Sequence, residues 1–150
     1  MIKQLLIIFG SFIISISFYG STYAKNLYFD EGKKLFEKKK YQDSKYYFEK
    51  DIVFNPKSEN SYLYLAKIFK EEEKNNLEKN NLNTVLLLNP KNEEAIYLLT
   101  LLNIKQSNFS RAKELILTMT SVCKKMCSAK IELNEKLNES EKTEQIYQSK

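Results

Sequence analysis

One six-residue phrase occurs twice in this chain. Phe54-Asn55-Pro56-Lys57-Ser58-Glu59 returns as Leu88-Asn89-Pro90-Lys91-Asn92-Glu93, and its two prolines, 34 residues apart, are the only ones among 150 residues. A fixed period of about 20 to 50 residues marks a stacked-repeat architecture, built from units that cannot bury their apolar faces alone. The residue before a proline is steered out of the helical region, so each Asn-Pro step marks the end of a helix. Three glycines and two prolines are too few for the tight turns of a β-sandwich or a doubly wound sheet. Helices joined by short polar connections are expected instead.

Placing the prolines in register divides the chain into repeats 25–58, 59–92 and 93–126. In the first, Leu27, Tyr28, Leu35 and Phe36 recur near helical spacing, and Gly32 between them admits a close backbone approach. After a polar break at Lys38–Lys40, a second helix from about Tyr41 to Phe54 carries Tyr41, Phe48, Ile52 and Phe54 on one side. The second repeat follows the same plan. Tyr62, Leu65, Ala66 and Phe69 line its first helix, 71–76 turns, and Leu82, Val85, Leu86 and Leu88 lead to Asn89-Pro90. In the third, Ile96, Leu99 and Thr100 are followed by Phe109, Ala112, Ile116 and Met119. Ser58, Asn92 and Ser107-Asn108 sit where a side-chain oxygen can accept from the free amides of a first turn.

Read across the repeats, Tyr28, Tyr62 and Ile96 share a column, as do the smaller Gly32, Ala66 and Thr100. Leu35 and Phe69 agree, with Asn103 breaking the pattern; Tyr41 matches Phe109, while Asn75 departs. Phe48, Leu82 and Ile116 agree, as do Phe54, Leu88 and Val122. A small residue 24 positions before a proline, flanking aromatics and a 34-residue period together resemble the tetratricopeptide repeat. The resemblance covers residues 25–126. It implies an all-α fold: a right-handed superhelical stack of three helix-turn-helix hairpins. Where that family prefers a small residue in the second helix, this chain has Ser44, Glu78 and Ala112. Glu78 is the misfit, and implies a loosely packed second hairpin or a second helix that starts late. A segment at 127–140, with Ala129, Ile131, Leu133 and Leu137 as its apolar side, supplies a C-terminal capping helix. Residues 141–150 are a polar tail expected to fray.

Residues 1–24 have the plan of a secretory signal peptide. Lys3 gives a positive start, Leu5 to Phe18 is an uncharged apolar run, and Ser21-Thr22-Tyr23-Ala24 offers small residues for a cut between Ala24 and Lys25. The other reading is an uncleaved membrane anchor, but the run of 14 residues is shorter than the about 20 that a span needs. Export to the periplasm is expected.

Cys123 and Cys127 are the only cysteines. Cys123 stands in the column of Asn55 and Asn89, and Lys124 takes the place of a third proline. In an exported chain, an even pair at this spacing is most simply a disulfide. Closing so short a loop restricts the unfolded chain by roughly 2 kcal/mol. The alternative is a thiol-disulfide exchange protein working through the pair, with Lys124 and Lys125 lowering a thiol pKa, although such centres usually have two intervening residues.

There is no histidine to build a nucleophile–base pair or complete a metal site, and no glycine-rich phosphate loop. The carboxylates run together with lysines, as in Glu71-Glu72-Glu73-Lys74, which is the habit of a solvated ion-pair face. No enzyme activity and no cofactor are expected. The formal charge of +5 arises from 24 basic and 19 acidic residues mixed along the chain, with no basic run beyond Lys38-Lys39-Lys40, so nucleic acid is not an expected partner. A membrane partner arises only if the N-terminal segment stays uncleaved.

The family resemblance implies that first helices line a concave groove for a peptide or partner helix. It places Phe29, Lys33, Phe36, Leu63, Lys67, Lys70, Tyr97, Leu101 and Ile104 on its wall, with about half of the apolar ones expected to pack as core. These residues do not reproduce the lysine and asparagine set with which some members grip a C-terminal carboxylate. The function expected is a non-enzymatic protein-protein interaction scaffold of the bacterial cell envelope. A narrower version is an accessory factor in envelope assembly or cytochrome maturation.

Overall fold

The computed structural model describes residues 27–149; the expected signal segment and its cut at Ala24–Lys25 lie outside them. Among the described residues every regular element is a helix. Helix α1 covers residues 27–37. It is followed by α2 (Tyr41–Phe54), α3 (Glu59–Glu71), α4 (Asn75–Leu88), α5 (Glu93–Lys105), α6 (Phe109–Val122) and α7 (Ala129–Gln148). The starts of α2, α4 and α6 are 34 residues apart, and so are their ends. The chain divides into two compact units, Met1–Ser61 and Tyr62–Lys150.

Each hairpin turns in the same way. The residue that closes the first helix takes a left-handed conformation: Lys39 at φ 56°, Glu73 at φ 55° and Ser107 at φ 54°. The next amide then reaches back over the helix end. Lys40 N–H donates to Leu35 O at 2.9 Å, Lys74 N–H to Phe69 O at 2.8 Å and Asn108 N–H to Asn103 O at 2.8 Å. This is the Schellman closure, which satisfies carbonyls that a helix end leaves free. Glycine adopts it at no cost, and none of the three positions is glycine.

In the first unit, α1 and α2 are joined by aromatic contacts. Tyr28 stacks on Phe54 with centroids 5.3 Å apart, Phe29 meets the buried Phe48 at 5.7 Å, and Phe36 meets Tyr41 at 5.5 Å. Gly32 does permit a close approach, but of a ring and not of backbone. A Cβ built there would lie 2.8 Å from Phe48 Cε1, closer than carbon atoms can approach without displacement. The Ser44 hydroxyl, fully buried, donates to the Gly32 carbonyl at 2.8 Å. The small residues at 32 and 44 thus make room for Phe48 and tie the two helices together.

In the second unit, α5 lies against α4, α6 and α7, and α6 also against α7. One core cluster joins Leu63 and Ala66 of α3, Leu82 and Val85 of α4, Ala95, Ile96 and Leu99 of α5, and Leu115 and Met119 of α6. A second joins Ile104 to Ala112, Ile116 and the α7 residues Leu133 and Leu137. Fully burying a leucine is worth about 1.5–3 kcal/mol, so Leu133 and Leu137 are the main apolar anchors of α7 on this cluster.

Glu78 is buried, at 4% exposure, and α4 nevertheless begins at Asn75. The helix does not start late, and Glu78 is enclosed within its first turn, in reach of the charges of Lys70 and Lys105. Burial pushes its carboxyl upward, and those two cations pull it back. Helix α7 continues through the residues expected to fray. Positions 129–148 contain no glycine or proline, and the Glu141 carboxylate meets Lys113 of α6 at 2.6 Å. Ile131, expected on the apolar side, is 65% exposed, since α7 turns Ala129, Leu133 and Leu137 inward instead. Those three stand 34 residues after Ala95, Leu99 and Asn103, so α7 keeps the register of a first helix. The positions by which it would receive a second helix hold Lys130 and Asn134, and this polar face suits an end of the stack.

Candidate ligand groove and the third turn

The expected groove residues fall into two groups, one in each compact unit. In the first, Lys33 is exposed, and Phe29 and Phe36 are half-buried, partly used by their contacts with Phe48 and Tyr41. A hollow of about 380 Å³ in this unit is lined by Glu31, Leu35, Gln42, Asp43, Tyr46 and Tyr47, and contains none of the three.

In the second unit, Leu63 and Ile104 are core residues at 5% and 8% exposure. They are therefore placed to hold the helices and not a ligand. Tyr97 and Leu101 are half-buried against the second cluster and keep an accessible side. The Lys67 ammonium is engaged twice, lying 2.6 Å from the Glu94 carboxylate and 4.6 Å from the Tyr64 ring centroid. Lys70 is exposed. The wall is accordingly less basic than its lysines suggest, since one of the two charges is neutralised by the neighbouring helix.

Tyr97 is the centre of what remains. Its hydroxyl donates to the Glu132 carboxylate of α7 at 2.8 Å, and burial together with that carboxylate pushes the phenol above its ordinary range. It opens onto a hollow of about 530 Å³ shared with Lys125, Met126, Ser128, Ala129 and Glu132. The last five belong to α7 and the loop before it and were not expected as site residues. Carrying the columns one repeat past residue 126 would have placed 131 and 132 beside this wall, because α7 keeps the register.

One carboxylate gathers the amides of the loop 123–128. Glu93, the first residue of α5, accepts from three consecutive amides: Lys124 N–H at 2.9 Å, Lys125 N–H at 3.0 Å and Met126 N–H at 2.6 Å. Successive amides converging on one anion form a nest. These bonds, Met126 foremost, hold the Glu93 carboxyl below the ordinary glutamate range despite some desolvation. Cys123 caps α6 in an extended conformation, φ −60° and ψ 139°, with no proline after it to impose one. Asn55 and Asn89 cap α2 and α4 at φ −136° and −142°. The Cys123 and Cys127 sulfurs lie at disulfide distance, with Cα atoms 5.2 Å apart. Cys123 packs against the first cluster and Cys127 is exposed.

Among the described residues no group of three or more histidine, cysteine or acidic side chains is placed to hold a metal, and no helix is long and apolar enough to cross a membrane. No protein-family model matches the sequence, and no curated protein is similar to it in sequence. Solved structures are similar in fold. A tetratricopeptide repeat protein from Parabacteroides merdae superposes with a TM-score of 0.72 at 21% identity, over 79% of this chain and 46% of that one. The Yersinia enterocolitica type III secretion chaperone SycD, in complex with a peptide of the translocator YopD, gives 0.69 at 9% identity, over 79% and 93%. The first such domain of Spaghetti (RPAP3), bound to the HSP90 peptide SRMEEVD, gives 0.67 at 16% identity, over 75% and 89%. The chain has a tetratricopeptide-repeat-type fold, all-α and built from helix-turn-helix hairpins.

Proposed function

We propose that this chain is a non-enzymatic scaffold that binds a protein or peptide on the first-helix face of its second unit, in the bacterial envelope after export. The observation that carries the reading is the hollow centred on Tyr97, where a half-buried aromatic, the Met126 side chain and separate charges of both signs converge. Such a mixture suits an extended peptide, which offers apolar side chains to the ring and backbone polar groups to Lys125 and Glu132. Two of the similar structures hold peptides, which supports the same class of ligand here.

Recovery of partners from envelope extract by the wild-type protein and by a Lys70→Glu, Tyr97→Ala double variant tests this. Loss of a specific partner with the variant, at unchanged helical content, is the expected result; equal recovery by both counts against the groove. Export rests on the N-terminal segment, and the first residue of the purified mature protein tests it, with Lys25 expected.

Cys123 and Cys127 form a structural disulfide in this reading. The Glu93 carboxylate favours a staple over an exchange centre, because an anion bound to the same loop opposes formation of a thiolate there. Mass measurement of envelope-derived protein with and without reductant tests the bond, and two free thiols without reductant would end the staple.

A further inference from the structure

We propose that the Cys123–Cys127 pair is a redox latch on the Tyr97 hollow: closed, it holds the nest that seats Glu93 and so sets the wall of the site; opened, it releases that wall. The inference rests on the disulfide and on the groove proposed above, and adds a means of regulating that groove.

Three observations join the pair to the site. The first is position, since the two cysteines bracket Lys124, Lys125 and Met126, the residues whose amides converge on Glu93. A covalent link between residues 123 and 127 restricts the backbone between them, which an open chain would leave free. The second is that two of those three residues, Lys125 and Met126, also line the hollow with Tyr97. A change in the nest therefore moves the wall itself. The third is accessibility. Cys127 is exposed, whereas Cys123 is half-buried against the first core cluster, so a reductant reaches one sulfur and leaves the other as the departing group.

No proline sets this turn as Pro56 and Pro90 set the other two. Ser128, which precedes α7, makes no side-chain cap bond. Beside the local bond from Ala129 N–H to Met126 O at 3.0 Å, the restraints on the loop are the cysteine pair and the Glu93 carboxylate.

The chemistry is thiol–disulfide exchange with an external dithiol. Its thiolate attacks Cys127 Sγ, the bond to Cys123 Sγ breaks, and the Cys123 thiolate leaves and takes up a proton. The second thiol of the reductant then loses its proton and attacks its own partner sulfur in the mixed disulfide. Cys127 departs as a thiolate and is protonated, and the reductant leaves as a disulfide. Two electrons and two protons pass to the protein, and the reductant carries away the disulfide.

The test uses the whole mature protein with and without dithiothreitol, oxidation state being read by mass. Amide exchange at Lys124, Lys125 and Met126 is expected to speed about tenfold or more on reduction, with the core amides of α5 and α6 unchanged. The Tyr97 ring resonances are expected to shift in the same samples. A Cys123→Ser, Cys127→Ser variant of native helical content should show the reduced pattern with or without dithiothreitol. Unchanged loop exchange on reduction overturns the latch, because Glu93 alone then holds the nest. Faster loop exchange with an unmoved Tyr97 also overturns it, since the pair does not reach the site. Two free thiols before any reductant is added remove the disulfide reading itself, and this is seen by mass independently of the other two outcomes.

Discussion

The three turns that lead out of α2, α4 and α6 have the same job and are built differently. Each takes the chain from a second helix to the next first helix, and each begins with a non-helical cap whose amide bonds back one turn: Asn55 to Asp51 O, Asn89 to Val85 O and Cys123 to Met119 O. The first two have a proline after the cap. At the first, the buried Asp51 carboxylate adds a bond from Ser61 Oγ at 2.5 Å, and Ser58 Oγ donates to Ser61 Oγ at 3.0 Å. At the second the corresponding positions are apolar, Val85 and Ala95, and the turn is capped by Asn92, which accepts from Ala95 N–H at 2.9 Å. The third has Met119 and Ala129 at those positions, no proline, and the Glu93 nest beside the cysteine pair. Backbone conformation at a turn can therefore be imposed by a ring within the chain, by a local side chain, or by an anion brought from 31 to 33 residues away.

The sharpest break of this comparison is at the first turn. Ser61→Ala strands a buried carboxylate and is expected to cost about 2 kcal/mol or more in denaturant unfolding. Copying the second turn, as Asp51→Val with Ser61→Ala, should recover most of that loss, because no buried carboxylate remains and the half-buried Ser58 hydroxyl, which loses Ser61 Oγ, can turn to water. A double-mutant cycle giving simple additivity would show that the two residues do not act together.

At the third turn, Cys123→Ser with Cys127→Ser is expected to cost about 2 kcal/mol by the loop-entropy model. Pro90→Ala at the second should cost less, about 0.4–1 kcal/mol. Equal losses would mean that the pair does no more than a proline does.

The turns inside the hairpins give a smaller effect of opposite sign. Lys39→Gly, Glu73→Gly and Ser107→Gly each relieve a left-handed backbone, and each is expected to raise stability by about 1 kcal/mol. No gain would show that side-chain contacts at these positions offset the strain.

The smallest effects are those of pH. Glu93 is held below an ordinary glutamate, so its contribution is complete above about pH 4.3 and fades as pH falls through the lowered value. Glu78 is raised, so the fold binds its proton more tightly than the unfolded chain does. Stability falls as pH rises from about 4.3 through the raised value. Relative to wild type, Glu93→Gln should lessen the acid-side loss and Glu78→Gln the loss on raising pH, in unfolding curves taken between about pH 3 and 7. The same pH slope in wild type and variant would remove that residue from the account.

Much of the fold was legible because it is periodic. The columns Phe48, Leu82 and Ile116 identify buried positions from spacing alone, and all three are buried in the structure. Asn92 and Asn108 were legible as caps, each accepting from a first-turn amide. The candidate site was less legible. Spacing places a residue on a face without saying whether a neighbouring helix covers that face, so it does not show which apolar wall residues are core; Leu63 and Ile104 are. Spacing likewise does not show that Lys67 is paired, because Glu94, which neutralises it, comes from the next repeat.

The sequence by itself determined the period, the helix ends beside Pro56 and Pro90, the all-α class, and the place of the cysteines in the register of the third turn. Backbone sterics and one-dimensional apolar spacing are local, and a reader of the chain has them in full. Only the tertiary structure decided that the third turn is shaped by Glu93, that Asp51 is buried against Ser61, and that Tyr97 opens onto a hollow walled by Lys125, Met126 and Glu132. Each depends on groups brought together across 10 to 35 residues of chain. Spacing cannot encode them, because a long side chain at a given register position can reach several neighbours, and helix packing selects one.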